Sequence, residues 1–151
     1  MKMVKELGDM IVVHPKDKTT QMLGRLYEGL PCQKLDTMLS KNQLRSLLYA
    51  TPSSERIMLL GHGCGGGLLT RDDDTIDDFK QLIDHSFSHI LKKHNGRIFA
   101  VFCHAKDFAE KERLHGLFSG MIISEIPERM PLLDDSHTPL TEFNYHNFFY
   151  L

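Results

Sequence analysis

Two side chains of complementary reactivity stand at the ends of two short apolar runs. Arg56-Ile57-Met58-Leu59-Leu60 leads into Gly61-His62-Gly63, and Ile98-Phe99-Ala100-Val101-Phe102 leads into Cys103. A thiol becomes a nucleophile when a neighbouring base or positive charge favours the thiolate, and an imidazole provides either. If the two runs are adjacent parallel strands, thiol and imidazole emerge at one sheet edge, where open α/β folds place their ligands. Cys103 would then attack a carbonyl and His62 would handle the proton, with the N–H groups of Gly63 and Cys103 facing the developing oxyanion. Gly63 has no side chain to obstruct a carbonyl approaching its backbone.

A plainer assignment makes the glycine-rich stretch from Gly61 to Gly67 a tight turn and Cys103 a core filler. Either residue alone favours that assignment. Their coincidence at two neighbouring strand ends favours the dyad.

The elements that must position the pair alternate along the chain. Met10–Val13 is a β-branched run stopped at His14-Pro15 and reads as the first strand. Thr19 can cap a helix carrying Met22, Leu23, Leu26 and Tyr27, closed by Gly29. Cys32–Leu35 is a second strand, and Ser40-x-x-Gln43 a capping box opening a helix with Leu44, Leu47 and Leu48 on one side, closed by Pro52. Beyond the glycine turn, Asp74 or Thr75 can cap a long helix in which Ile76, Phe79, Ile83, Phe87, Ile90 and Leu91 keep helical spacing as far as Asn95-Gly96. Ile98–Phe102 has almost no polar residue, as expected of a central parallel strand covered on both faces. A helix with Phe108, Ala109, Leu114 and Leu117 follows, then a fifth strand over Gly120–Ser124.

This alternation predicts one α/β domain over residues 1–151, a three-layer sandwich around a mostly parallel sheet with right-handed crossovers. The aromatic tail from Phe143 to Tyr150 has no clear period and is expected to pack along an edge or to form a homo-oligomer contact.

A net charge of -2 supplies neither a basic stripe for nucleic acid nor a polybasic segment for a membrane. The amino terminus carries charge where a secretory signal needs its apolar core, so no export segment is expected. Cys32, Cys64 and Cys103 cannot all pair and show no C-x-x-C spacing, which suits a reducing, cytoplasmic setting.

With Leu59-Leu60-Gly61-His62-Gly63, then a crossover, then Val101-Phe102-Cys103-His104-Ala105, the chain resembles the caspase-like cysteine peptidases, the group of caspases, gingipains, legumains and CHAT domains. There the catalytic histidine stands in a His-Gly turn after one central strand, and the cysteine ends the next. Leu117 to Ser124 looks like the helix end and strand that follow the cysteine in that group. His104 after the nucleophile departs from the family's small or typical residue, and the chain is short for a full peptidase with substrate loops.

The resemblance implies a caspase-like fold, hydrolysis of peptide bonds in a peptide or protein substrate, and no metal or organic cofactor. It implies a substrate pocket built by loops after the first, third and fourth strands, which here offer His14, Lys16, Asp17, Arg71 and Asp72-Asp73-Asp74. Acidic lining would suit a basic substrate residue, whereas Arg71 would suit an acidic one; the acidic run equally reads as a solvated loop before a helix.

Other patterns compete less well. His85 and His89 stand four apart but lack a third metal ligand. The glycine turn lacks Gly-Lys-Ser/Thr, and no Gly-x-Ser-x-Gly elbow occurs. Two alternatives of other classes are a catalytically silent domain that binds a protein or ligand at the same edge, and a flavodoxin-like or nucleotide-binding domain.

Overall fold

A computed structural model of the chain describes residues 10–35, 40–73, 75–120 and the backbone of 149–150. Three parallel strands come from the apolar runs identified above, β1 (Met10–Val13), β3 (Arg56–Leu60) and, after an inserted unit, β7 (Ile98–Val101), and a fourth, β2 (Cys32–Leu35), forms where a second strand was expected, with Gln33 and Lys34 exposed. A fifth, β8 (Gly116–Ser119), joins in parallel, and β9 (Phe149–Tyr150) closes the edge antiparallel, giving the order β2-β1-β3-β7-β8-β9.

Continuous apolar strands follow from coverage on both faces. Ile11, Val13, Ile57, Leu59, Ile98 and Ala100 pack into one core with Leu44 and Leu48 of α1 (Lys41–Ala50). Phe87, Ile90, Leu91 and Phe108 complete that core. Met10, Val12, Met58, Leu60 and Val101 face the other way, against Leu23, Leu26 and Tyr27. Helix α1 starts as its sequence dictates: Ser40 Oγ accepts from the Gln43 amide, and the Gln43 side chain accepts from the Ser40 amide. Asp17, rather than Thr19, caps the Lys18–Leu26 segment, which winds as a 3-10 helix.

Three expectations need correction. The glycine stretch is a hairpin rather than a bare turn: β4 (His62–Cys64) and β5 (Gly67–Thr70) pair antiparallel, and β6 (Lys80–Ile83) adds to β5 as a small second sheet. The long helix over 76–91 therefore does not form. Its first half contains a strand, and only Ser88–Leu91, α2, is α-helical. Pairing with β5 satisfies the β6 backbone, so tertiary hydrogen bonding overrides the helical spacing of Ile76, Phe79 and Ile83. Asp84, whose side chain accepts from the Ser86 amide and hydroxyl, breaks the segment and starts the next turn.

The helix after Cys103 is also shorter than its apolar spacing suggests. α3 (Ala105–Glu112) stops at Arg113, which turns left-handed, and Leu117, expected on the helix, lies in the strand that Gly116 begins. The fifth parallel strand thus lies at 116–119, and residues 121–124 of the expected strand fall outside the described residues, as does 143–148 of the aromatic tail.

One buried histidine carries a pH prediction. His94 is fully buried, and its Nδ1–H donates to the Glu55 carbonyl at 2.9 Å. Burial pushes its pKa down, against the opposing effect of that hydrogen bond. Between the ordinary histidine range near about 6.5 and its lower folded value, the unfolded chain binds a proton that the folded chain refuses. Stability from His94 is therefore complete above that range and is lost as pH falls through it. His94→Asn, which keeps an N–H near the Nδ1 position but cannot titrate, is expected to flatten the decline in urea midpoint between about pH 7 and pH 5. An unchanged slope would assign the decline to other groups.

Candidate active site

Leaving β1, the chain adds β2 on one side and then returns to add β3 on the other, so the order of connection reverses between β1 and β3. In doubly wound sheets the crevice at the carboxyl ends of the strands flanking such a reversal is where ligands bind. The loop after β1 supplies Asp17 and Thr19, and His62, the first residue of β4, follows β3 across Gly61. β7 pairs with β3 in the register Leu60↔Val101, so His62 and Cys103 each stand two residues beyond one paired position. The Gly61 amide donates to the Val101 carbonyl at 3.3 Å and keeps the two chain segments together past the ladder.

Gly63 is held against the segment that ends in the thiol. A Cβ at Gly63 would lie 2.0 Å from Phe102 Cδ1, and the Phe102 ring is itself fully buried. The missing side chain thus has a reason inside the fold, in addition to the substrate access that its sequence position suggests. Cys103 is half-buried and carries no disulfide.

The backbone on either side of Cys103 is pinned. Beyond the last β7–β8 pair, the Ser119 hydroxyl accepts from the Phe102 amide at 3.0 Å and donates to the Phe102 carbonyl at 2.9 Å. His104 adopts the left-handed conformation with φ 63°, and its amide donates to Gly120 O at 3.0 Å. A non-glycine residue there costs about 1–2 kcal/mol, and the same bend turns the chain from β7 into α3 directly after the thiol.

His62 has a defined set of neighbours. Its Nε2 lies 2.6 Å from Thr19 Oγ1 and 3.6 Å from Asp17 Oδ1, and its ring tilts against Phe79 with centroids 4.8 Å apart. Thr19 Oγ1 in turn donates to Asp17 Oδ1 at 2.6 Å. Burial alone would push the Asp17 carboxyl up. Hydrogen bonds from Arg71 and from the hydroxyl and amide of Thr19, with the charge of His62, outweigh it and hold Asp17 well below the ordinary carboxylate range.

Arg71 is the electrostatic hub. Its Nε and one terminal nitrogen grip Asp17 at 2.7 and 3.2 Å, and the same terminal nitrogen reaches Thr19 Oγ1 at 3.4 Å. The other terminal nitrogen donates to the Ile76 carbonyl and to Asp77 at 3.2 and 2.9 Å. The guanidinium also stacks over Phe79, 4.6 Å from the ring centroid. All five of its N–H groups have acceptors within the chain. Arg71 therefore offers no open fork to an acidic substrate residue, which corrects the expected substrate contact: this buried side chain braces the β1 loop.

The expected pocket residues His14, Asp17, Arg71 and Asp72 line one cleft of about 870 Å³, together with Tyr27 and Lys34. His14 is buried, with Nδ1 2.9 Å from the Tyr27 hydroxyl and Nε2 3.0 Å from the Thr20 carbonyl, so both ring nitrogens are engaged inward. Asp72 is exposed and 3.5 Å from Lys80 Nζ. His62 and Cys103 lie outside the described lining, and Asp17 links the cleft to the His62 turn.

Sequence reasoning missed Thr19 as a partner of His62, Phe79 as the ring between His62 and Arg71, and Ser119 as a clamp on Phe102. The first two had visible signals, assigned otherwise: Thr19 as a cap and Phe79 as part of a helical stripe. His85 and His89 gain no third ligand among the described residues. His85 Nδ1 lies 2.8 Å from Glu112, and among the described residues no group of three His, Cys, Asp or Glu side chains is arranged to hold a metal ion. Among the same residues no helix is long and apolar enough to cross a membrane.

No family model matches the chain, and comparison with curated proteins and with solved structures also gave no match.

Proposed function

We propose that this chain is a caspase-like domain with cysteine peptidase-type chemistry, acting on a peptide or protein substrate through Cys103 and His62. The observation that carries this reading is the β3–β7 register, in which imidazole and thiol each follow a paired residue by two positions at the same sheet edge. The contact between Gly63 and Phe102 and the half-buried state of Cys103 support it.

The reaction begins from a thiolate and an imidazolium. The sulfur attacks the peptide carbonyl carbon, and the carbonyl electron pair moves to oxygen, toward the N–H groups of Gly63 and Cys103. Collapse breaks the C–N bond, and the departing amine takes the proton from His62. Neutral His62 then accepts a proton from water as its oxygen attacks the thioester. The acid leaves, and thiolate and imidazolium are restored.

A second reading, a catalytically silent binding domain, is favoured by the 870 Å³ cleft, whose described lining excludes both reactive residues. Alkylation by iodoacetamide, read by mass spectrometry at each cysteine, separates the two. The peptidase reading expects Cys103 to react at least about tenfold faster than Cys32 and Cys64, and His62→Ala to abolish that advantage. Equal labelling of all three thiols would favour the binding domain.

A further inference from the structure

Thr19 stands between His62 and Asp17, and proton counting decides which way its hydrogen bonds run. A threonine hydroxyl has one hydrogen. Asp17, gripped by two nitrogens of Arg71, is a carboxylate and can only accept. The Thr19 hydrogen therefore goes to Asp17 Oδ1, 2.6 Å away, leaving Oγ1 to accept from His62 Nε2, also at 2.6 Å. The reverse arrangement would place two acceptor oxygens against each other at that distance. His62 Nε2 must carry a hydrogen.

We infer that Thr19, backed by Asp17, is a positioning residue that locks His62 in its Nε2–H tautomer, so that Nδ1 is the only ring nitrogen that exchanges a proton with the reacting groups. Nε2 keeps its hydrogen in both charge states of the ring. Neutral His62 presents a basic Nδ1, and the imidazolium differs from it only by a hydrogen at Nδ1. Phe79 tilts against the ring from another side and limits its rotation. This inference deepens the dyad reading and rests on it for the identity of the proton partner, Cys103. The tautomer itself is independent of catalysis.

The distinction makes a test available that needs no turnover. Thr19 is exposed, so its replacement removes one hydroxyl without opening the core. The full chain, labelled with nitrogen-15, would be studied by long-range proton–nitrogen correlation of the imidazoles above their titration range, with the His62 signals assigned by their loss in His62→Gln. The wild type is expected to show His62 as the Nε2–H form. Thr19→Val is expected to shift the tautomer ratio toward Nδ1–H by about fivefold, the worth of one ordinary hydrogen bond, and Thr19→Ser to restore it. A wild-type His62 in the Nδ1–H form, or a ratio unmoved by Thr19→Val, would overturn the assignment. Unselective alkylation of Cys103 beside a locked Nε2–H ring would sink the peptidase reading while sustaining the tautomer lock.

Discussion

Arg71→Ala is expected to cost about 3–5 kcal/mol of unfolding free energy, because it removes one partner of a buried ion pair and leaves the other charge uncompensated. Asp17 and Arg71 side chains are only 6 % and 5 % exposed, so water cannot readily replace the lost guanidinium. The loss would spread to the β1 loop, since Arg71 also ties Asp17 to Asp77 and to the Ile76 carbonyl. The charge origin of the effect is checked by a second variant. Asp17→Ala combined with Arg71→Ala removes both charges and is expected to cost less than the sum of the two single changes. Urea denaturation of the three variants measures this. A single-variant loss below about 1 kcal/mol, the range of a surface pair, would show that the pair is hydrated and does not brace the loop.

Gly67→Ala is the second large effect, and it arises from backbone geometry. Gly67 opens β5 at φ +134°, a region that side-chain-bearing residues rarely adopt, and a Cβ there would lie 1.9 Å from the Ile83 carbonyl oxygen of β6. The obstacle is backbone in a paired strand, which cannot rotate aside as a side-chain tip would. The conformational penalty of about 1–3 kcal/mol adds to about 1–3 kcal/mol for overpacking, for a total of roughly 2–6 kcal/mol. Gly29→Ala supplies the contrast. Its φ is +81° with nothing within 4 Å of the added carbon, so only the conformational part, about 1–2 kcal/mol, is expected. Equal losses in thermal or urea unfolding would contradict a steric role for Ile83.

Both effects concern side chains or contacts that the order of residues suggested only in part. The α1 capping box and the apolar runs of β1, β3 and β7 were legible, because each is a local pattern completed within a few residues. The placing of His62 and Cys103 at two strand ends was legible for the same reason, as both follow such runs. The helix expected over 76–91 shows the opposite case: Phe79 and Ile83 carry helical spacing, yet β6 forms because β5 lies beside it. Asp84 and Ser86, a capping pair inside the expected helix, were the local sign of the break.

The pocket assignment divides along the same line. His14, Asp17, Arg71 and Asp72 do line one cleft, but Arg71 and His14 turn their polar atoms inward to partners within the chain. Residue type announces what a guanidinium can bind. Only the surroundings decide what it already holds.

By itself the sequence determined strands β1, β2, β3 and β7, helix α1, and the placing of His62 and Cys103 just after the ends of β3 and β7. Tertiary structure alone decided that β3 lies against β7, that Arg71 closes on Asp17 across 54 positions, and that Thr19 meets His62 across 43. The physical reason is the range of the forces involved. Capping and apolar periodicity act between neighbours in the chain, whereas strand pairing and ion pairing act between whatever groups the topology brings within a few ångströms.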